Sequence, residues 1–364
     1  MAKRVGADKW LFGVVLLLVL FGLVEVFSAS AVMAKATVGS PYSYVAKQAL
    51  WALLGMVALV VLMQVDYRKY NNPKVVLPAV AIELLLLLVV FAMHDSHHTH
   101  RWIRFGGLFT FQPSELAKPA LVLFLAYFLQ NHVHVIDDLK GTILKAIAIP
   151  AVLIVLVAGE PDLGTAIVLA AVTALMLFLA GARVRHLLIP AIPAVPVLGY
   201  MLFMVPWRLA RMKVFLNPEA DPKGAGFHIL QSLIAVSTGG LHGLGLMEGR
   251  QKLFYLPEPH TDFIFANVCE ELGLIGAILL AAAFVFVGYR GLRAAVLSTD
   301  PFARFLAFGL TTAILVQAFF NMSVVIALLP TKGIPLPFIS SGGTSVFITL
   351  ASMGVLLNIT REID

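Results

Sequence analysis

Residues 251–266 read QKLFYLPEPHTDFIFA. Within these sixteen positions a polar connection turns into a long apolar run, and Asp262 sits at the junction, two residues after His260. A carboxylate at the mouth of a membrane helix is costly to desolvate, so its presence there calls for a reason. The apolar run that follows is one of many. Of 364 residues, 60% are hydrophobic and 13% charged, with a mean hydropathy of +0.93. Soluble domains carry about 25% charged residues, so this chain cannot cover itself with a water-facing surface. It reads as an all-α integral membrane protein, because repeated apolar runs of about 17–20 residues suit helices rather than barrel strands.

About ten transmembrane helices are predicted, at 10–33, 45–65, 75–93, 116–133, 143–158, 165–181, 186–205, 263–288, 305–329 and 344–357. The amino terminus, MAKRVGADKW, is basic and then apolar. Its apolar run is too long for a signal peptide and reads as the first span, starting in the cytoplasm. The short connections after spans two, six and eight are each basic and fall on that same side. Both termini are then cytoplasmic. The single cysteine, Cys269, excludes an intrachain disulfide.

The net charge of +6 is not all topology charge. An excess of basic residues collects in three outer connections, 94–115, 206–261 and 330–343, which suggests an anionic ligand. The connection between helices 7 and 8, about 206–262, is the only long one, and long loops are usually functional. It carries Arg208, Arg211 and Lys213, candidates to hold phosphates, or else lipid headgroups alone. Residues 226–237 offer a short amphipathic helix with Ile229, Leu230, Leu233 and Ile234 on one side.

In the first outer connection, Trp102 suits the headgroup level. Ser114 and Glu115 read either as a capped helix start or, with Lys118 one turn on, as buried charge. Glu160 and Asp162, in GEPDLGTA at 159–166, lie between two short apolar segments, as a solvated turn or as a break inside the protein. Glu270 and Glu271 follow about two turns into span eight, where both cannot face lipid; an ion pair and a cavity role are both open. PTKGIPLPFISSGGTS, 330–345, can re-enter the membrane or form a rigid turn, with Lys332 and Ser340 placed to touch a ligand. The histidines His94, His97, His98 and His100 lack a fixed metal-ligand spacing. No phosphate loop, zinc-protease helix or nucleophile elbow occurs, and nothing points to a nucleic acid.

Taken together, FQPSELAK at 111–118, GEPDLGTA, QKLFYLPEPHTDFIFA, EELG at 270–273 and LPTKGIPLPFISSGG at 329–343 resemble the SEDS family (shape, elongation, division and sporulation). They span most of the chain, 1–364, as one transmembrane domain. QKLFYLPE and Thr331-Lys332-Gly333 are more similar to the division branch than to the elongation branch. Ser341 departs from the family's tyrosine, and Ser237, His242 and Leu244 depart from its commoner glycine, aromatic and basic residues.

The resemblance implies a peptidoglycan glycosyltransferase of the bacterial inner membrane that uses lipid II and releases undecaprenyl pyrophosphate at the periplasmic face. It implies an essential aspartate, matched here by Asp262, which would take the acceptor sugar's proton as general base. Arg208, Arg211, Lys213, Lys118 and Lys332, or a divalent ion such as Mg or Mn, would meet the leaving charge. It also implies a class B penicillin-binding transpeptidase as partner, among other divisome or elongasome membrane proteins. A transporter for the same lipid is the rival class. It would use Glu115, Glu160, Glu270 and Glu271 as a polar path.

Overall fold

The computed structural model describes residues 6–92, 101–105, 109–136, 138–192, 196, 199, 204, 206–224, 226–331 and 333–362; the side chains at 105, 109, 190, 191 and 206–208 are outside that description. Helices α1 (Lys9–Val38), α2 (Ser43–Gln64) and α3 (Pro73–Ala92) open the chain. A hairpin of β1 (Ile103–Phe105) and β2 (Phe109–Phe111) leads into α4 (Pro113–His132), α5 (Leu144–Gly159), α6 (Leu163–Leu179) and α7 (Val184–Ala191). The 206–262 connection contributes α8 (Pro206–Leu216) and α9 (Phe227–Gly239), and α10 (Ile264–Leu297), α11 (Pro301–Val325) and α12 (Gly343–Thr360) close the bundle.

Local sequence explains the boundaries. Proline begins α3, α4, α8 and α11, where its missing N–H is no loss and its fixed φ suits the first turn. Asp8, Asp162 and Asp300 cap α1, α6 and α11 with their carboxylates. Gly39 ends α1 in the left-handed region at φ 81°.

Among the described residues, seven helical segments are long and apolar enough to cross a membrane: α1, α2, α3, residues 139–159 ending in α5, α10, α11 and α12. Helix α4 has the length, but Glu115 and Lys118 lie in its first two turns; α6 is shorter, at 17 residues. The expected span at 186–205 begins in α7 and runs on past the described residues.

Helix α11 packs on α4, α6 and α10, and α12 packs on α2. These two helices are the middle of the bundle: 72% of the apolar window of each is buried, against 22% for α2 and 28% for α3. The outer helices instead turn large apolar side chains outward, among them Leu53, Val57, Leu85, Leu88 and Val155. Such a surface suits lipid and not water.

The all-α reading holds, with one short hairpin besides, whose Arg104 pairs with Thr110 and which docks on α12 through the Thr344 hydroxyl, donating to Thr110 O at 3.0 Å. The 206–262 connection holds two helices, α8 and α9, the second of them over the expected amphipathic stretch, but the side it buries differs from the expected one. In α9 the buried residues are Ile229, Ser232, Ala235 and Gly239, while Ile234 is exposed. Small residues form the buried side because α9 lies so close on α10 that a Cβ at Gly239 would meet Cys269 O at 1.9 Å.

Candidate active site

The stretch before α10 is held by two acids further along it. The Glu270 carboxylate accepts the backbone N–H groups of Arg250 (2.9 Å) and Gln251 (3.1 Å). The Glu271 carboxylate accepts Met247 N–H at 2.7 Å and the Lys252 ammonium at 2.6 Å. Both acids are fully buried, so each charge is matched by donors rather than by water. From this anchorage the chain runs through Glu258 and His260 to Asp262. His260 is buried, sits against the Tyr44 ring with centroids 4.8 Å apart, and has Nε2 3.9 Å from the Glu258 carboxylate. Burial lowers its pKa, and Glu258 partly offsets that.

Three interior polar residues fix the backbone at 261–262 and the 334–336 segment that meets it. The Asn321 amide of α11 donates to Asp262 O at 2.8 Å and to Ile334 O at 2.7 Å. The Ser340 hydroxyl donates to Thr261 O at 2.6 Å and accepts from Leu336 N at 2.7 Å. The Gln317 amide donates to Pro335 O at 2.8 Å. The approach is so close that a Cβ at Gly333 would lie 2.6 Å from Asp262 Oδ2; only glycine leaves the carboxylate where it is.

A cavity of about 310 Å³ opens at this point, lined by Arg211, Gly224, His228, Glu258, Asp262, Phe263, Thr331 and Gly333. Burial and the Glu258 charge push the Asp262 carboxyl up to about 6, against the pull of Arg101 and Arg211. Arg211 is shifted down by burial and by Arg101, and back up by Asp262. The arrangement is a half-buried carboxylate poised near neutrality with cations around it, which suits proton abstraction next to an anion.

Of the residues selected from sequence, Asp262 and Arg211 share this cavity. Lys213 is exposed on the same helix, α8, and Arg208 is on α8 with its side chain outside the described residues. Lys332 also lies outside them, between the lining residues Thr331 and Gly333. Lys118 is buried in α4, bonded to Glu115 at 2.7 Å and to Gln317, away from the cavity wall. Trp102 is half-buried beside β1, and Ser340 holds backbone.

Asp162 accepts from Ser114 (3.0 Å), Gln112 (3.1 Å) and Thr165 N (3.2 Å), while both carboxylate oxygens of Glu160 are buried without a hydrogen-bond partner. The histidine cluster His94, His97, His98 and His100 lies outside the described residues. Sequence reasoning counted Arg101 only within the basic excess of the first connection; its guanidinium donates to the carbonyls of Glu160 and Pro161 and its charge reaches Asp262. It passed over His228, Glu258, Gly333 and Asn321. Glu258 stood within the quoted stretch; Asn321 gave no signal, being one amide in a long apolar run.

The cavity offers two carboxylates, Asp262 and Glu258. Among the described residues no group of three or more His, Cys, Asp or Glu side chains is placed to hold a metal ion.

An acid at a helix mouth, backed by buried amides and faced by arginine, is accompanied by likeness across the whole chain. The FtsW/RodA/SpoVE cell cycle protein model matches residues 8–364, and the chain belongs to that family. It is 44% identical over 94% of its length to the probable peptidoglycan glycosyltransferase FtsW of Geobacter metallireducens, covering 91% of that protein. It is 38% identical to stage V sporulation protein E of Bacillus subtilis, over 99% of this chain and 98% of that one. Among solved structures, a chain of a peptidoglycan synthase complex superposes with a TM-score of 0.76 at 25% identity, covering 98% and 97% of the two chains. The rod shape determining protein RodA of Thermus thermophilus gives 0.67 at 25% identity, covering 98% of each.

Proposed function

We propose that this protein is a peptidoglycan glycosyltransferase that polymerises lipid II at the outer face of the bacterial cytoplasmic membrane, in septal wall synthesis. The observation that carries the reading is Asp262, raised to about 6 in a cavity it shares with Arg211. The 41–44% identity to relatives named FtsW supports the division role over the elongation role.

In the reaction, the 4-hydroxyl of one lipid II GlcNAc attacks the anomeric carbon of the donor. A new glycosidic C–O bond forms as the bond to undecaprenyl pyrophosphate breaks, with inversion. Asp262 takes the hydroxyl proton, a contribution typically of about 10²–10⁴-fold. The leaving group departs as a pyrophosphate and needs no proton, so cations serve it: Arg211 on the wall, with Arg208, Lys213 and Lys332 from the same connections. Lys118 and Glu115 neutralise each other inside the bundle and brace Gln317, and through it the 334–336 segment.

Ten spans follow if α4, α6 and the helix begun by α7 cross the membrane beside the seven. Both termini are then cytoplasmic and the cavity periplasmic. A class B penicillin-binding transpeptidase is the partner we assign.

Labelled lipid II in detergent, resolved as glycan on a gel with and without the transpeptidase, tests the reading. The native chain yields polymer and Asp262→Asn yields none. Polymer from Asp262→Asn at the native rate removes Asp262 from the role, and no polymer from the native chain with its partner leaves the transporter reading. Changing Arg208 and Arg211 together to Ala weakens donor use; unchanged donor kinetics would sink the pyrophosphate assignment.

A further inference from the structure

Two polar clusters join α1 to α10, at opposite ends of that pair. At one end Arg290 of α10 holds Asp8, the cap of α1, at 2.5 Å and 2.6 Å through two of its nitrogens. At the other, the Lys252 ammonium bonds Glu271 of α10 at 2.6 Å and Ser28 of α1 at 2.8 Å. About nineteen residues of α10 separate Arg290 from Glu271, roughly 28 Å at 1.5 Å per residue. About twenty residues of α1 separate Asp8 from Ser28, roughly 30 Å. Both lengths match the roughly 30 Å hydrocarbon core of a bilayer. Between the clusters Leu17, Leu20, Leu274, Ile278 and Leu279 are each more than 50% exposed, as lipid-facing residues are.

The outer connection meets α10 at the level of Glu271. Helix α10 breaks at Gly273, which has φ 65° and ψ −164°. Leu274 N–H donates to Gly240 O at 2.9 Å and Ile275 N–H to Leu241 O at 3.2 Å. In return Leu244 and Gly245 donate to the carbonyls of Glu270 and Glu271, each at 3.0 Å. These four bonds fix residues 240–245 against the first lipid-facing turn of α10. There Leu241, Leu246 and Met247 are 61%, 47% and 47% exposed, and just past Lys252 Phe254 and Tyr255 are 63% and 56% exposed. Met247 and Phe254 have φ 68° and 67°, a left-handed backbone that bulky side chains rarely take. The fold accepts strain at two positions whose apolar side chains point outward.

We propose that this rim, Leu241, Leu246, Met247, Phe254 and Tyr255, is immersed in the outer edge of the bilayer and sets the height of the Asp262 cavity above it. Its continuity with the exposed turn of α10 selects lipid over a soluble partner protein. Seven residues of α10 separate Glu271 from Ile264, so Asp262 stands about 10 Å above the hydrocarbon boundary. That is beyond a headgroup layer of roughly 5–8 Å per leaflet. If the proposed function holds, the pyrophosphate of a bound lipid sits at headgroup level and its sugars at Asp262.

The test uses the full chain in phosphatidylethanolamine–phosphatidylglycerol nanodiscs, in a Cys269→Ala background, with a nitroxide on single cysteines. Power saturation compares Leu246→Cys with Leu279→Cys in the span and Glu219→Cys on the exposed loop. Leu246→Cys is expected to match Leu279→Cys, open to oxygen and closed to a water-soluble nickel complex. A profile like that of Glu219→Cys overturns the immersion, as does protection from nickel that appears only when a partner protein is added. The readout uses no catalysis, so it stands apart from any failure of the functional reading. The height claim has its own arm. Leu241→Glu, Met247→Glu and Phe254→Glu combined should slow glycan synthesis at least about tenfold in nanodiscs but not with a short-chain lipid II analogue in detergent; an equal loss in both overturns it.

Discussion

At the scale of the residue, the proposed chemistry rests on a carboxylate held near neutrality. Asp262 is raised from 3.8 to about 6, mainly by burial, and only its ionised form accepts a proton. Glycan synthesis should rise with pH, half-maximal near 6 and level above about 7, as read from the initial rate on labelled lipid II; a flat profile between pH 5 and 8 contradicts the base assignment. The stability effect has the opposite sign. A carboxyl whose folded value is raised favours the fold below its unfolded value, near 3.8, and that contribution is lost as pH rises through about 6. Asp262→Asn should therefore melt no lower than the native chain at pH 8 while making no polymer. Gly333→Ala pushes a methyl group to 2.6 Å from Asp262 Oδ2; the expected result is a kcat lowered at least about tenfold with melting little changed.

Glu160 and Asp162 should differ in the same assay. Burial lifts the Glu160 carboxyl to about 9, so it is neutral at pH 7 and Glu160→Gln should leave melting unchanged or raise it. Asp162 carries three hydrogen bonds, and Asp162→Ala should cost about 1–3 kcal/mol.

At the scale of the element, the site is a loop clamped by the helix it enters. Residues 247–252 are tied down by Glu270 and Glu271, two turns along α10, and Lys252 carries that anchorage across to Ser28 of α1. Lys252→Met strands a buried carboxylate and should destabilise the protein by about 3–5 kcal/mol, measured by thermal melting in detergent. Gln317 and Asn321, about one turn apart on α11, do the same for the 334–336 segment. Thus one interior helix fixes both outer segments that meet at Asp262.

At the scale of the whole molecule, polarity is sorted by depth. Charged pairs mark two levels of the α1–α10 pair, apolar side chains cover the surface between them, and the cavity stands beyond one of them. A reporter enzyme active only in the periplasm, fused after Asp364, should stay inactive; activity there would reverse the orientation and put Asp262 in the cytoplasm.

The sequence by itself determined the class of solvent and most of the helices, and it singled out Asp262, which the structure places on the cavity wall. These are properties of composition, of apolar run length and of one charge at one junction, all of them local. It also marked Glu115, Lys118, Glu270 and Glu271 as acids and bases that a membrane would not leave alone. Which of them met each other, and which met the cavity, was decided only by tertiary structure. Lys118 kept Glu115, its neighbour three residues back on α4, and took Gln317 from α11 rather than a place in the site, whereas Arg211 came to Asp262 from some fifty residues upstream. The physical reason is that a buried charge takes whichever partner the packing of distant helices brings within hydrogen-bond reach, and run length and periodicity carry no record of that distance.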